Sequence, residues 1–208
     1  KDKRFTQRMR ERIAIFGQYK TGTTGLFLKI RNSHPATPRT LFEESRYDPE
    51  PADSRNGVLA KVIIERSLEC PGDLESFFGF EKRILLVRDP RDWLVSKILF
   101  HIQQDPSFWR NRMLLARILR LLRAKERAPN EVSFRSIFET VASAANNRKT
   151  TADSVLSWIG RQFACLVSVE EQLKGNCCKL RYEDYVAGSL DPLSSYLGFA
   201  LDGDELTQ

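Results

Sequence analysis

The residues most able to do chemistry lie between Gly17 and Thr24, in the order Gly-Gln-Tyr-Lys-Thr-Gly-Thr-Thr. Gly17 and Gly22 bracket Tyr19, Lys20 and Thr21, and two further hydroxyls, Thr23 and Thr24, follow. An apolar, β-prone run, Ile13–Phe16, precedes the stretch, and a helix-compatible segment, Leu26–Arg31, comes after it. That order predicts strand, tight loop, helix start. Successive backbone N–H groups in such a loop, together with the helix N-terminus, attract and hydrogen-bond a phosphate-like anion.

The match to the nucleotide-binding P-loop is partial. The pattern G-x-x-x-x-G-K-[ST] puts lysine directly after the second glycine. Here Thr23 holds that place and the lysine has moved inside the loop, to Lys20. A lysine at the loop tip addresses the bond beyond the cradled phosphate. A second set of residues follows the apolar run Arg83–Val87: Arg88-Asp89-Pro90-Arg91-Asp92, with Ser96 further on. The planar fork of arginine binds phosphate bidentately. In an open parallel sheet ligands bind beyond the carboxyl ends of the strands. Arg88 is therefore expected near the Gly17–Thr24 loop if the two strands are neighbours, and Ser96 could point back to the same anion.

The elements that must position these groups follow in order. Strands are predicted at Ile13–Phe16, Thr40–Glu43, Val58–Ile64, Arg83–Val87 and Cys178–Arg181, the third as a nearly continuous apolar run of the kind a buried parallel strand shows. Helices are predicted at Leu26–Arg31, Asp73–Phe78 and Trp93–Phe100, at 107–127, 132–145 and 152–173, and after Glu183; residues 44–57 read as a long polar loop, and 1–10 as a basic lead-in. Strands alternating with helices imply a three-layer α/β fold, a parallel sheet with flanking helices like that of P-loop NTPases. A chain of 208 residues suits one domain, here 1–208.

Composition narrows the class. The chain is 41% hydrophobic and 29% charged, with a net charge of +6 that favours anionic ligands. No apolar run approaches the roughly 18 residues of a membrane span. No signal peptide or N-x-[ST] sequon is visible, and Cys70, Cys165, Cys177 and Cys178 lack a C-x-x-C spacing. A cytoplasmic protein with reduced thiols and no zinc site is expected. The opening on Lys1 is expected of a trimmed piece. Between Phe108 and Arg127, seven basic residues meet the single acid Glu126, interleaved with leucines at helical spacing. One face of that helix is predicted as core, and the basic face could grip an acidic polysaccharide or anionic lipid heads.

Taken together, the first two segments resemble the sulfotransferases that use 3′-phosphoadenosine 5′-phosphosulfate. The resemblance extends to Leu180-Arg181-Tyr182-Glu183-Asp184-Tyr185, and to Glu65-Arg66-Ser67, which is similar to a Glu-Lys-Ser segment of the carbohydrate-modifying branch. It implies that Lys20 stabilises the leaving 5′-phosphate, that Tyr19, Thr21, Gly22, Thr23 and Thr24 line its loop, and that Arg88 and Ser96 hold the 3′-phosphate. Tyr182 would help to place the adenine; Gly25 stands where many members have an aromatic residue, so Tyr19 is a further adenine contact to expect. No magnesium is required, because the sulfuryl group carries less charge than a phosphoryl group.

The base that activates the acceptor is expected to be a glutamate, in the order Glu44, Glu43, Glu65. His34 and His101 are expected to be packing or surface residues. The family closes with a Gly-rich basic loop; this chain instead reaches Gln208 through Asp202-Gly203-Asp204-Glu205, so that loop is expected to be missing. The acceptor would be a carbohydrate or another small polar hydroxyl compound, with no nucleic acid as partner. The alternatives are a P-loop nucleotide or metabolite kinase, and a catalytically silent nucleotide-binding relative that acts as an interaction module.

Overall fold

A computed structural model describes residues 11–68, 74–104, 110–144 and 151–202. The expected lead-in, Asp73, Cys70, residues 105–109 and 145–150, and the acidic tail from Gly203 lie outside them. The chain divides into two compact units, residues 1–89 with 164–208, and residues 90–163.

The first unit is built on five parallel strands, β1 (Arg12–Gly17), β2 (Arg39–Phe42), β3 (Val58–Ile63), β4 (Lys82–Val87) and β5 (Cys178–Arg181). Their order across the sheet is β2-β3-β1-β4-β5, with every pairing parallel. Side chains alternate between the two faces of a strand, and the core divides accordingly. Ile13, Ile15, Leu59, Ile84 and Leu86 pack with α1 (Thr23–Ser33) and with two helices that follow β5, α8 (Tyr182–Val186) and α9 (Asp191–Leu197). Ala14, Phe16, Val58, Ala60, Val62 and Leu85 pack on the other face. They meet Phe77 of the short helix α3 (Glu75–Phe78), and Val169 and Leu173 at the end of α7 (Ala152–Leu173). The result is a three-layer α/β arrangement, consistent with a P-loop-like fold. All six β3 residues are buried, as expected for a strand covered on both faces.

The segment 44–57, expected as loop throughout, carries one helical turn, α2 (Asp53–Asn56). The cause is the Asp53 carboxylate. It is 5% exposed, and its Oδ2 accepts from Arg39 Nη1 at 3.1 Å, Tyr47 Oη at 3.0 Å and the Glu50 N–H at 2.9 Å. Spacing along the chain does not reveal that Arg39 and Tyr47 converge on one acid.

His34 follows α1 as its C-cap residue and is a packing histidine, with its ring edge-on to Phe199 at 5.3 Å. Burial holds its pKa below the ordinary imidazole value, against weaker opposing pulls from the Ala36 carbonyl and Glu11. The unfolded chain therefore takes up this proton at a higher pH than the folded chain does. The stability contribution is present above the ordinary imidazole pKa and is lost as pH falls from there through the lowered pKa of the folded chain. Between about pH 7.5 and pH 5.5 the melting temperature should fall more steeply in the wild type than in His34→Asn. Equal slopes would remove His34 from that response. Burial likewise pushes the Cys177 thiol up to about 11, so this cysteine behaves as a packing residue.

The second unit is helical: α4 (Pro90–Gln104), α5 (Arg112–Arg127), α6 (Phe134–Ala144) and the first part of α7. Ile98, Ile102, Ile118, Ile137, Phe138 and Val141 form its core, flanked by Leu114, Leu115, Leu121 and Leu122 of α5. The Asn111 side chain caps α5 by accepting from the Leu114 N–H at 3.1 Å. As the apolar spacing predicts, one face of α5 is core and the other is basic. Arg112, Arg117, Arg120, Arg123 and Arg127 are exposed. No described helix is long and apolar enough to cross a membrane.

Candidate functional site

The carboxyl ends of β1, β3, β4 and β5 bring the chemistry-bearing residues of the first unit together. After Gly17 the chain turns through Gln18–Gly22 and enters α1 at Thr23. The turn is closed from inside: Thr21 Oγ1 donates to the Gln18 carbonyl at 2.7 Å, and the Thr21 N–H reaches the same oxygen at 3.3 Å. Thr21 is therefore buried, 1% exposed, and its side chain braces the loop. Gly17 has no room for a side chain. An added Cβ would lie 2.5 Å from Thr23 Cγ2 and 3.1 Å from the Leu86 carbonyl oxygen.

The apex has unusual backbone geometry. Lys20 adopts φ 70° and Gly22 φ 89°, both left-handed. For lysine this conformation costs about 1 kcal/mol or more. Surrounding contacts hold it there. Arg88, just past β4, donates from Nη1 to the Lys20 carbonyl at 3.0 Å. The pairing of β1 with β4, with Gly17 opposite Leu86, is what makes these two neighbours. The Arg88 guanidinium lies 4.3 Å from the centre of the Tyr182 ring. A Cβ on Gly22 would come within 2.6 Å of that same ring. The Tyr182 ring thus meets Arg88 and, at its Cδ2–Cε2 edge, Gly22 of the loop. The Asp89 N–H donates to Glu183 Oε1 at 2.9 Å. Burial works against the Glu183 charge, but this bond and its own backbone N–H hold the pKa below the usual carboxylate range.

The N-terminus of α1 is left open. Gly22 supplies no side-chain cap, and no acidic residue occupies the first turn. The first intrahelical bond in the ladder runs from the Leu26 N–H to the Gly22 carbonyl. The N–H groups before Leu26 therefore lack carbonyl partners within the helix. A helix end with free donors and the positive end of its dipole favours an anion.

Glu65 enters from the 3-10 turn Ile64–Leu68 that follows β3. It is 7% exposed, and both carboxylate oxygens accept from the Tyr19 N–H, at 2.9 and 3.0 Å. Of the three candidate bases, it is the one that anchors the loop. Glu43 leaves β2 with φ 63°. Its Oε1 meets Lys61 Nζ at 2.5 Å and its Oε2 lies 3.7 Å from Arg66 Nη2, while Arg66 Nη1 donates to its carbonyl. Glu44 is exposed. Ser96 lies half-buried on α4, in the second unit; His101 lies on the same helix. Among the described residues no three His, Cys, Asp or Glu side chains are grouped to hold a metal ion.

Lys61 is a buried charged side chain to which the apolar strand pattern assigns no role. It occupies the middle of β3 with 3% exposure. Besides Glu43, its ammonium reaches Thr24 Oγ1 at 2.7 Å and lies 4.2 Å from the Phe42 ring centre. A signal was present: a lone lysine inside Val58-Leu59-Ala60-Lys61-Val62-Ile63 must find partners once buried. Which partners it finds depends on β2 being its neighbour, with Phe42 opposite Lys61. Removing one member of such a buried pair costs about 3–5 kcal/mol.

The fold is that of a parallel α/β protein, and at the carboxyl edge of its sheet Lys20, Arg88 and the uncapped start of α1 lie close together. No protein-family model matches the chain, and no curated protein sequence matches it significantly.

Proposed function

We propose that this chain is a metal-independent sulfotransferase that moves a sulfuryl group from 3′-phosphoadenosine 5′-phosphosulfate to a hydroxyl of a carbohydrate or other small polar acceptor. One observation carries the reading. The Arg88 guanidinium binds the backbone of Lys20, so two cationic segments distant in sequence share one loop in front of an uncapped helix. A cosubstrate with phosphates on the 3′ and 5′ oxygens of one ribose calls for two such cations. In the transfer, the bond between sulfur and the 5′-phosphate oxygen breaks and a bond to the acceptor oxygen forms. The acceptor proton passes to a carboxylate, Glu44 or Glu43. Lys20 meets the charge that grows on the leaving oxygen. The N–H groups at residues 22–24 hold the 5′-phosphate, and Arg88 holds the remote 3′-phosphate, with Ser96 as its proposed partner. In this reading Tyr182 braces the loop and presents its remaining face to adenine, alongside Tyr19, and the protein is cytoplasmic.

Calorimetry with 3′-phosphoadenosine 5′-phosphate, set against ATP with Mg²⁺, tests the proposal. The expected result is preference for the former, with turnover on a carbohydrate acceptor when the sulfated donor is supplied. Preference for ATP with Mg²⁺ would instead indicate a kinase. A second reading, a catalytically silent nucleotide-binding relative, is favoured by the engagement of Glu65 with the loop and of Glu43 with Lys61. It predicts binding without turnover.

The basic face of α5 is a proposed peripheral contact for anionic surfaces. Its arginines recur on one side, and Met113 beside them is 84% exposed. Like charges three and four positions apart on a helix are mutually destabilising, a cost that an anionic surface would relieve. Reversing Arg117, Arg120 and Arg123 to glutamate should abolish co-sedimentation with phosphatidylserine vesicles at low salt. Unchanged sedimentation would show that the face is only solvated.

A further inference from the structure

Lys61 sits where an apolar residue would suffice for packing. It points to the α1 side of β3, between Leu59 and Ile63 along the strand, and it is almost wholly buried. An ammonium placed there loses hydration that methionine would not need. The contacts it makes are directional. An ammonium has three donors and no lone pair. In the 2.7 Å contact with Thr24 Oγ1 the lysine must therefore donate, and the hydroxyl must accept. The hydroxyl's own proton is then directed away from Lys61. Thr24 is the second residue of α1, so that proton becomes one more donor beside the open N–H groups of the helix end. A second donor of the same ammonium is spent on Glu43 Oε1, 2.5 Å away. Glu43 itself holds a left-handed backbone, φ 63°, of the kind that persists where surrounding contacts over-determine it. Buried charge and backbone strain coincide here, beside the first turn of α1.

We propose that Lys61 is a positioning residue of the transfer site, a role that rests on the function proposed above. It obliges Thr24 to present its O–H to the anion at the start of α1, and it anchors the Glu43 carboxylate alongside. One buried ammonium thereby ties the donor side of the site to the acceptor side. Neither Thr24 nor Glu43 achieves this by its own rotamer preference, because each could turn to solvent without the lysine.

The test is a double-mutant cycle read by calorimetry with two probes, inorganic pyrophosphate and 3′-phosphoadenosine 5′-phosphate. Lys61→Met and Thr24→Val should each weaken both probes about tenfold, the scale of one hydrogen bond to a charged group. Thr24→Ser, which keeps the hydroxyl, should bind like the wild type. The Lys61→Met/Thr24→Val double variant should be no weaker than either single variant, because both remove the same directed proton. Unchanged affinity in Lys61→Met, or losses that simply add, would overturn the proposal. A lysine of purely structural importance would lower the melting temperature of Lys61→Met without any coupling to Thr24. Should Lys61→Met fail to fold, the contrast between Thr24→Val and Thr24→Ser decides, and equal affinities would overturn the role. If the wild type binds pyrophosphate but not the nucleotide, the cosubstrate assignment fails while the cycle is still read with pyrophosphate. If it binds neither, the role of Lys61 falls as well.

Discussion

Lys20→Ala is expected to lower turnover by about 10²–10³-fold, the effect of removing one preorganised donor aimed at developing charge. The affinity for 3′-phosphoadenosine 5′-phosphate should change by only a few-fold. Two structural facts separate these effects. The contact that fixes the loop apex runs from Arg88 to the Lys20 backbone carbonyl, which alanine retains. The N–H groups at the start of α1 are backbone as well, and the substitution leaves them in place. Alanine also introduces no new strain at φ 70°, because lysine already bears a Cβ in that conformation. Lys20→Gly relaxes the same strain and is the control. It should be as inactive as alanine, which would assign the loss to the ammonium. The measurements are initial rates with the sulfated donor and calorimetry with the desulfated product. Normal turnover in Lys20→Ala would refute the role given to the lysine.

Arg88→Ala should fail in the opposite way, with binding lost first. The guanidinium is expected to grip the 3′-phosphate through a charge-assisted bond, and its removal should weaken the product nucleotide by about 10²-fold. It also holds the Lys20 carbonyl at 3.0 Å and stacks on Tyr182 at 4.3 Å. The melting temperature should therefore fall as well, by the equivalent of about 1–3 kcal/mol. Arg88→Lys should recover little of either effect, since an ammonium cannot span a phosphate, a carbonyl and a ring face with one planar group. A variant that melts early but binds normally would restrict Arg88 to bracing the loop.

Different parts of this site were legible to different degrees. The five strands were readable to within a residue or two: β1, β3 and β4 as the nearly continuous apolar runs that burial on both faces demands, and the edge strands β2 and β5 only as short runs between breaks in the helical pattern. The loop from Gly17 to Thr24 was readable because only a glycine tolerates the crowding at position 17 and the left-handed turn at 22. Glu43, Glu44 and Glu65 were equivalent as carboxylates in the sequence. Their surroundings distinguish them: one is held by Lys61 and Arg66, one is exposed, and one carries the Tyr19 N–H.

By itself the sequence determined what depends on neighbours along the chain: strand, tight turn, helix start, and a lysine at the apex of the turn. The tertiary structure alone decided which strands lie side by side. Placing β3 between β1 and β2 brings Lys61 to Glu43 and Thr24, and placing β4 beside β1 brings Arg88 to Lys20. The physical reason is that strand order follows from burying both faces of the sheet under particular helices, a property of the whole chain that no local spacing encodes.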